Sequence, residues 1–156
     1  VTIAFTLRCQ PPRHTAQQKG VRVVGKTPIF FTTPKMKALS EEWQWLMRPH
    51  APRAPIEGPV SLSIAFVYPY PSNTRKGDRY GWTWKETSPD VDNVAKHFID
   101  TMGKAGFFRD DGAVVDLWLR KLYGPHEHVG IYVRIHPAPS EGAAVTVFAD
   151  ELTRRD

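Results

Sequence analysis

Residues 88–121 read SPDVDNVAKHFIDTMGKAGFFRDDGAVVDLWLRK, and the hydrophobic period changes halfway through. In the first half Val94, Ala95, Phe98, Ile99 and Met102 form one apolar stripe, with Asn93, Lys96, His97, Asp100 and Lys104 on the opposite side. Spacing of three and four predicts an amphipathic helix, which Gly103 and Gly106 bring to an end. After RDDG the chain reads as a strand from about Ala113 to Leu122. The stretch also gathers acids into two knots, Asp90 with Asp92 and Asp110 with Asp111, in a chain whose 21 Lys and Arg exceed its 16 Asp and Glu. Those knots are the feature that a function has to explain.

Outward from this stretch, both flanks supply strands. Val1, Ile3, Phe5, Leu7 and Cys9 alternate with polar or small residues, as in a strand with one buried face, and Pro11 and Pro12 end it. VRVVGKTPIFF gives two short extended pieces. Thr33 before Pro34 has the form of a helix cap, and Met36, Leu39, Trp43, Leu46 and Met47 then share one helical face until Pro49. Trp45 falls off that stripe. A proline-rich link leads to a second alternating strand with Val60, Leu62, Ile64, Phe66 and Tyr68 on one side. On the far flank GIYVRIH predicts a strand with Ile131, Val133 and Ile135 inward, joined to its predecessor by the turn GPHEH. No internal repeat is present.

Composition bounds the setting. A chain of 156 residues with 41% apolar content has the size of one domain with a core of several strands and helices. No run of 18 apolar residues occurs, which excludes a helical membrane span, and the alternating start argues against a signal peptide. Cys9 is the only cysteine, so there is no intrachain disulfide or cysteine-clustered zinc site, and a reducing cytoplasm is the expected compartment. No acid precedes Glu41, whereas Arg8, Arg13, Lys19, Arg22, Lys26, Lys35 and Lys37 do; Arg75, Lys76, Arg79 and Lys85 form a second basic cluster. Such clusters suit a polyanion, since each cation that neutralises a phosphate releases counterions. A solvated surface is the plainer alternative.

Three explanations of the acids can be weighed. Capping uses one of Asp90 and Asp92 and leaves the other, and the later pair, unexplained. An EF-hand loop needs an oxygen ligand and a glycine where Val94 and Ala95 stand, so that reading fails. A catalytic magnesium site needs a few carboxylates from separated segments, often with a lysine nearby. Asp90, Asp92, Asp110 or Asp111, and Lys96 one turn after Asp92, meet that requirement.

PDVDNVAK, then AGFFRDDGAVVDLWLRK at this distance, resembles the core of the RusA family of Holliday-junction endonucleases, typically encoded by bacteriophages and prophages. The likeness covers residues 88–121, with weaker agreement in strand order and in the double proline. It implies an α/β (α+β) fold, a small mixed β-sheet with two main helices packed on it, spanning residues 1–137 as one homodimeric domain, with 138–156 as a tail. It implies a magnesium-dependent endodeoxyribonuclease, manganese being a possible substitute, that resolves four-way DNA junctions by paired cuts; the alternatives are a nuclease of the same fold acting on other branched or flapped DNA, or a silent DNA-binding module. By position, the family's catalytic and metal-binding carboxylates fall on Asp90, Asp92 and Asp111 and its functional lysine on Lys96. Asp110 is a reserve ligand. PPRHTAQQ departs from the serine and asparagine that often follow the family's double proline. The expected location is the cytoplasm, with the nucleoid.

Several residues carry paired expectations. PYPSNTRKGDRYGWTWKETS, residues 69–88, is either a substrate-facing loop placing Arg75, Lys76, Arg79, Trp82, Trp84 and Lys85 beside DNA, or a hairpin whose tryptophans pack on the body. Arg13, Lys19, Arg22 and Lys26 are the corresponding DNA contacts of the basic N-terminal region. His126 and His128 read as exposed turn residues before a metal pair, and His97 as solvated before a DNA contact. Asp116 supports the metal from outside or pairs with Arg120, and Asp100 pairs with Lys96. Trp45 is a candidate for the homodimer contact.

Overall fold

The computed structural model describes residues 2–14 and 20–140. Its elements follow in the order β1 (Ile3–Leu7), β2 (Gly20–Val24), β3 (Thr27–Phe31), α1 (Pro34–Met47), β4 (Val60–Pro69), β5 (Thr83–Trp84), α2 (Val91–Lys104), β6 (Val114–Gly124) and β7 (Gly130–Pro137). A five-stranded sheet runs β1-β7-β4-β6-β5, with β4 and β6 parallel and the other neighbours antiparallel. The parallel pair requires a crossover, and α2 is that crossover. A mixed α+β domain with two principal helices is therefore what these residues build.

The alternation in each strand sorts the sheet into two faces. Phe5 and Leu7, Leu62, Ile64 and Phe66, and Ile131, Val133 and Ile135 lie in one buried cluster with Trp43 and Met47 of α1 and Val94, Phe98 and Met102 of α2. Phe98 anchors the cluster, edge-on to Trp43 at 5.0 Å and to Phe66 at 5.8 Å between ring centroids. Thr33 caps α1 as its sequence predicts, its side-chain oxygen accepting from Met36 N at 3.4 Å. Gly106, with φ 90°, takes the left-handed conformation that lets the chain leave α2. On the opposite side of the sheet Ser63, Ala65, Trp118, Arg120, Tyr132 and Arg134 line an open groove.

Two regions are sharper than their sequences allowed. The extended pieces in VRVVGKTPIFF pair as a β2–β3 ribbon, turned at Gly25 with φ 64°, and form a sheet separate from the main one. All the apolar side chains from Val21 to Phe31 are exposed. The stretch after Pro69 makes a short helical turn at Lys76–Asp78 and then joins the sheet through β5, so it is partly strand. Lys19 and residues 141–156 of the expected tail lie outside the described residues; Ala138 still donates from its backbone to Pro59 O at 2.9 Å.

Candidate active site

The site is a consequence of the β4–α2–β6 crossover. α2 lies against β6, and along the helix-facing side of β6 come Leu117, Leu119, Lys121 and Tyr123, whose parallel partners on β4 are Leu62, Ile64, Phe66 and Tyr68. Asp92, Lys96 and Asp100 from α2 and Asp111 from the turn before β6 line one cleft floored by Ala95, Ile99, Leu117 and Leu119. Its volume is about 290 Å³. A second cleft shares Asp92 with the first and adds Asp90, Trp84, Lys85, Arg120 and Lys121. One acid from each knot, Asp92 and Asp111, about twenty residues apart in the chain, is thus brought to one cleft together with Lys96, and Asp90 lines the adjoining one.

The local geometry separates the acids by use. Asp90 stands at the N-cap position of α2, yet its side chain makes no capping hydrogen bond, and it accepts a long 3.5 Å bond from Asn93 Nδ2. Capping therefore does not explain Asp90. Asp92 occupies the first turn, where the helix dipole favours a carboxylate. Asp110 is employed structurally: its Oδ1 accepts from Gly112 N at 2.7 Å, shaping the turn that presents Asp111. Asp110 does not line the cleft that holds Asp111. Arg109 and Glu57 form the one ion pair among the described residues, so Lys96 and Asp100 line the cleft without closing the bridge expected of them.

A divalent cation is testable against these donors. Among the described residues no three His, Cys, Asp or Glu side chains gather closely enough to enclose a metal ion. Magnesium does not require such a cage, since it keeps several waters and is commonly held by one or two carboxylates plus substrate phosphate. Exposed, acceptor-only carboxylates from two segments, opening on solvent, fit that mode. Cys9 offers no thiolate alternative, because burial, with Glu42 adding to it, pushes its thiol up to about 11.

Other expected residues sort as follows. Trp84 and Lys85 border the acids, and Trp84 is exposed by 67%. Trp82 packs on His128 with centroids 5.3 Å apart, which places that histidine against a ring. Arg75 and Lys76 are exposed, whereas Arg79 donates to the carbonyls of Thr74 at 2.8 Å and Ser72 at 2.6 Å and so braces its own loop. Arg13 lines a groove with His14 and Lys35 beside the double proline, and Pro12 O accepts from the Tyr68 hydroxyl at 2.9 Å. Arg22 lies on β2 and Lys26 in the ribbon's turn.

Two readings are corrected. His97 is not solvated: it is half-buried, tilted on Trp43 at 5.0 Å, and its Nε2 lies 2.6 Å from Ser40 Oγ. Asp116 accepts from Ser61 Oγ at 2.6 Å in place of pairing with Arg120. The sequence reading missed Lys121, whose ammonium donates to Thr87 O at 2.6 Å and to Pro89 O. Burial and the neighbouring Lys85 hold it below the usual lysine range, against the pull of Asp90. The signal was present, since strict alternation through Leu117 and Leu119 puts Lys121 on the helix-facing side.

The chain matches known proteins over most of its length. A family model described as endodeoxyribonuclease RusA matches residues 10–136. The chain is 30% identical over 121 residues to a crossover junction endodeoxyribonuclease, rusA, of Lactococcus phage r1t, covering 76% of this chain and 87% of that protein. It is 34% identical over 91 residues to the uncharacterised protein YqaN of Bacillus subtilis (strain 168), covering 54% of this chain and 63% of YqaN. Resolvases of this kind generally depend on a divalent metal. With a matching family model over most of its length and a named phage relative covered almost end to end, this chain belongs to the RusA family of endodeoxyribonucleases.

Proposed function

We propose that the protein is a magnesium-dependent endonuclease that resolves four-way DNA junctions, acting as a homodimer, with Asp90, Asp92 and Asp111 as metal-binding carboxylates and Lys96 as the catalytic cation. The observation that carries this reading is the meeting of Asp92, Lys96 and Asp111 in one open cleft, with Asp90 beside them and spared from capping. The junction as substrate is supported by the activity for which the phage relative is named. Mn²⁺ serves as an alternative ion for the same oxygen donors.

Asp90, Asp92 and Asp111 would hold a divalent ion, which would supply Lewis-acid polarisation of a phosphate oxygen and a more acidic water. The chain's own residues do the rest. Asp92 and Asp111 line one cleft from two segments, so a phosphate entering it would meet both. Lys96, one turn after Asp92, would neutralise the charge that develops on the phosphate as the oxygen of water bonds to phosphorus and the 3′ oxygen leaves. The basic surfaces around Arg13, Lys35, Arg75 and Lys76 hold DNA by its backbone, which binds without selecting sequence. Two copies related by a two-fold axis supply the two cuts that resolution needs.

The test is cleavage of a synthetic four-way junction beside linear duplex, fork and flap, with Mg²⁺ and with chelator. Paired, metal-dependent nicks confined to the junction are expected. Asp92→Asn should remove cleavage while junction binding in chelator persists, because the basic surface is untouched. Near wild-type cleavage by Asp92→Asn, or equal cutting of flap and junction, refutes the assignment.

A further inference from the structure

β5 pairs with β6 for only two residues, Thr83 against Tyr123 and Trp84 against Leu122, and Lys85 N then donates to Lys121 O at 3.0 Å. Beyond that point the backbone leaves the ladder, and residues 86–89 run as a strap to Asp90. Side chains take over where the ladder stops. Lys121 Nζ donates to Thr87 O and Pro89 O, and Lys85 Nζ donates to Ser88 O at 2.7 Å, to Thr87 Oγ1 at 2.5 Å and to the Tyr123 hydroxyl at 3.3 Å. Lys85 Nζ is 5.0 Å from the ring centroids of both Tyr68 and Tyr123. Three successive carbonyls, ending one residue before Asp90, thus accept from two ammonium groups.

This is an expensive way to fix a loop. Two cations side by side repel each other and lose hydration, whereas an amide or hydroxyl could hold a carbonyl without either penalty. Asp90 offsets part of this cost at Lys121, and it lines the same cleft as Asp92, Lys85 and Lys121. We propose that Lys121 is a positioning residue of the acidic site: its ammonium fixes the strap that delivers Asp90, and its charge keeps the Asp90 and Asp92 carboxylates together before an ion arrives. Lys85, backed by the two tyrosine rings, holds the strap from its other side. The inference rests on the reading of Asp90, Asp92 and Asp111 as metal ligands.

Mn²⁺ binding by calorimetry or electron paramagnetic resonance, on the full chain without DNA, tests it apart from turnover. Lys121→Met should weaken Mn²⁺ binding by about tenfold or more, as loss of a partner that orients metal ligands does. The metal concentration for half-maximal junction cleavage should rise by a similar factor. Lys121→Arg, which keeps charge and donors, should recover most of both. Lys121→Gln serves where the methionine variant fails to fold, with weakened binding again expected because the shorter amide cannot hold both the Thr87 and Pro89 carbonyls. Wild-type Mn²⁺ affinity in a folded Lys121→Met or Lys121→Gln overturns the proposal, and loss of junction affinity alone would make Lys121 a phosphate contact instead. Asp92→Asn in the same titration separates the two claims: if it also binds Mn²⁺ normally, the metal site itself is wrong; if it loses the ion and Lys121→Met does not, only the role of Lys121 fails.

Discussion

Asp111→Asn is expected to abolish cleavage without lowering the melting temperature, and Asp110→Ala to lower the melting temperature while leaving most of the cleavage. Asp110 Oδ1 accepts from Gly112 N at 2.7 Å, and a cap of this kind contributes about 0.5–2 kcal/mol. The capped turn is three residues long and exposed, which favours the lower end of that range, near 1 kcal/mol. A chain of 156 residues shifts its midpoint by about 2–4 °C per kcal/mol, so Asp110→Ala should melt about 2–4 °C lower. Asp111 takes no part in the ion pairing among the described residues and shares its cleft with the carboxylates of Asp92 and Asp100. Removing one of three carboxylates relieves repulsion but gives up attraction to Lys96 in the same cleft, each about 0.2–0.5 kcal/mol, so Asp111→Asn should melt at about the wild-type temperature. Its rate should nevertheless fall by about a hundredfold or more, the scale of removing one group that stabilises charge on the reacting phosphate. Scanning calorimetry paired with junction cleavage at saturating metal reads both quantities. Asp110→Asn, which retains an acceptor oxygen for Gly112, is the control and should resemble wild type in both. Abolished cleavage in Asp110→Asn would make Asp110 a ligand, and a cleavage rate within about threefold of wild type in Asp111→Asn would remove Asp111 from the site.

Four more outcomes follow from the same structure. Burial holds His97 below the ordinary imidazole value of 6.5, with Asp100 opposing and Lys104 assisting, so between its folded value and 6.5 the unfolded chain binds more protons. Stability should therefore fall as pH drops below about 6.5, by at most about 1.4 kcal/mol per unit, and His97→Gln should flatten that slope in urea titrations. Removing Arg75 and Lys76 together should weaken junction binding and reduce its salt slope by about 0.9 for each phosphate no longer neutralised, with an unchanged slope excluding the loop from the DNA. Trp84→Ala should erode the preference for junction over duplex at unchanged stability, while Trp82→Ala, deprived of its packing on His128, should lower the melting temperature; the opposite pattern contradicts the assignment. Trp45, exposed by 72% on α1, should lie in the homodimer interface, and light scattering of Trp45→Ser at micromolar concentration should show a lower mass than wild type.

What was legible in the sequence is what depends on neighbours within a turn or a strand. The stripe Val94, Ala95, Phe98, Ile99, Met102 and the alternation from Val60 to Tyr68 state their own burial, and the structure buries both sets. Asp92 and Lys96 are legible together because a helix puts them one turn apart. Asp116 and His97 were misread for the opposite reason: their partners, Ser61 and Ser40, are 55 and 57 residues away, and a single serine carries no mark of what it will bind. The ribbon from Gly20 to Phe31 was visible as two extended pieces, but its exposure was not, because Val, Ile and Phe in alternation ordinarily predict a covered face.

The lysines on the strap show the same limit at the site itself. A carboxylate pair can be recognised from residue type and spacing, since its chemistry resides in the side chains. The partners of Lys121 and Lys85 are mostly backbone carbonyls, at Thr87, Ser88 and Pro89, which every residue possesses and no sequence distinguishes. Only the folded crossover, which lays β6 beneath the start of α2, brings those carbonyls within reach. The carboxylates proposed for the site are therefore read from the chain, and the two lysines proposed to position them from the fold.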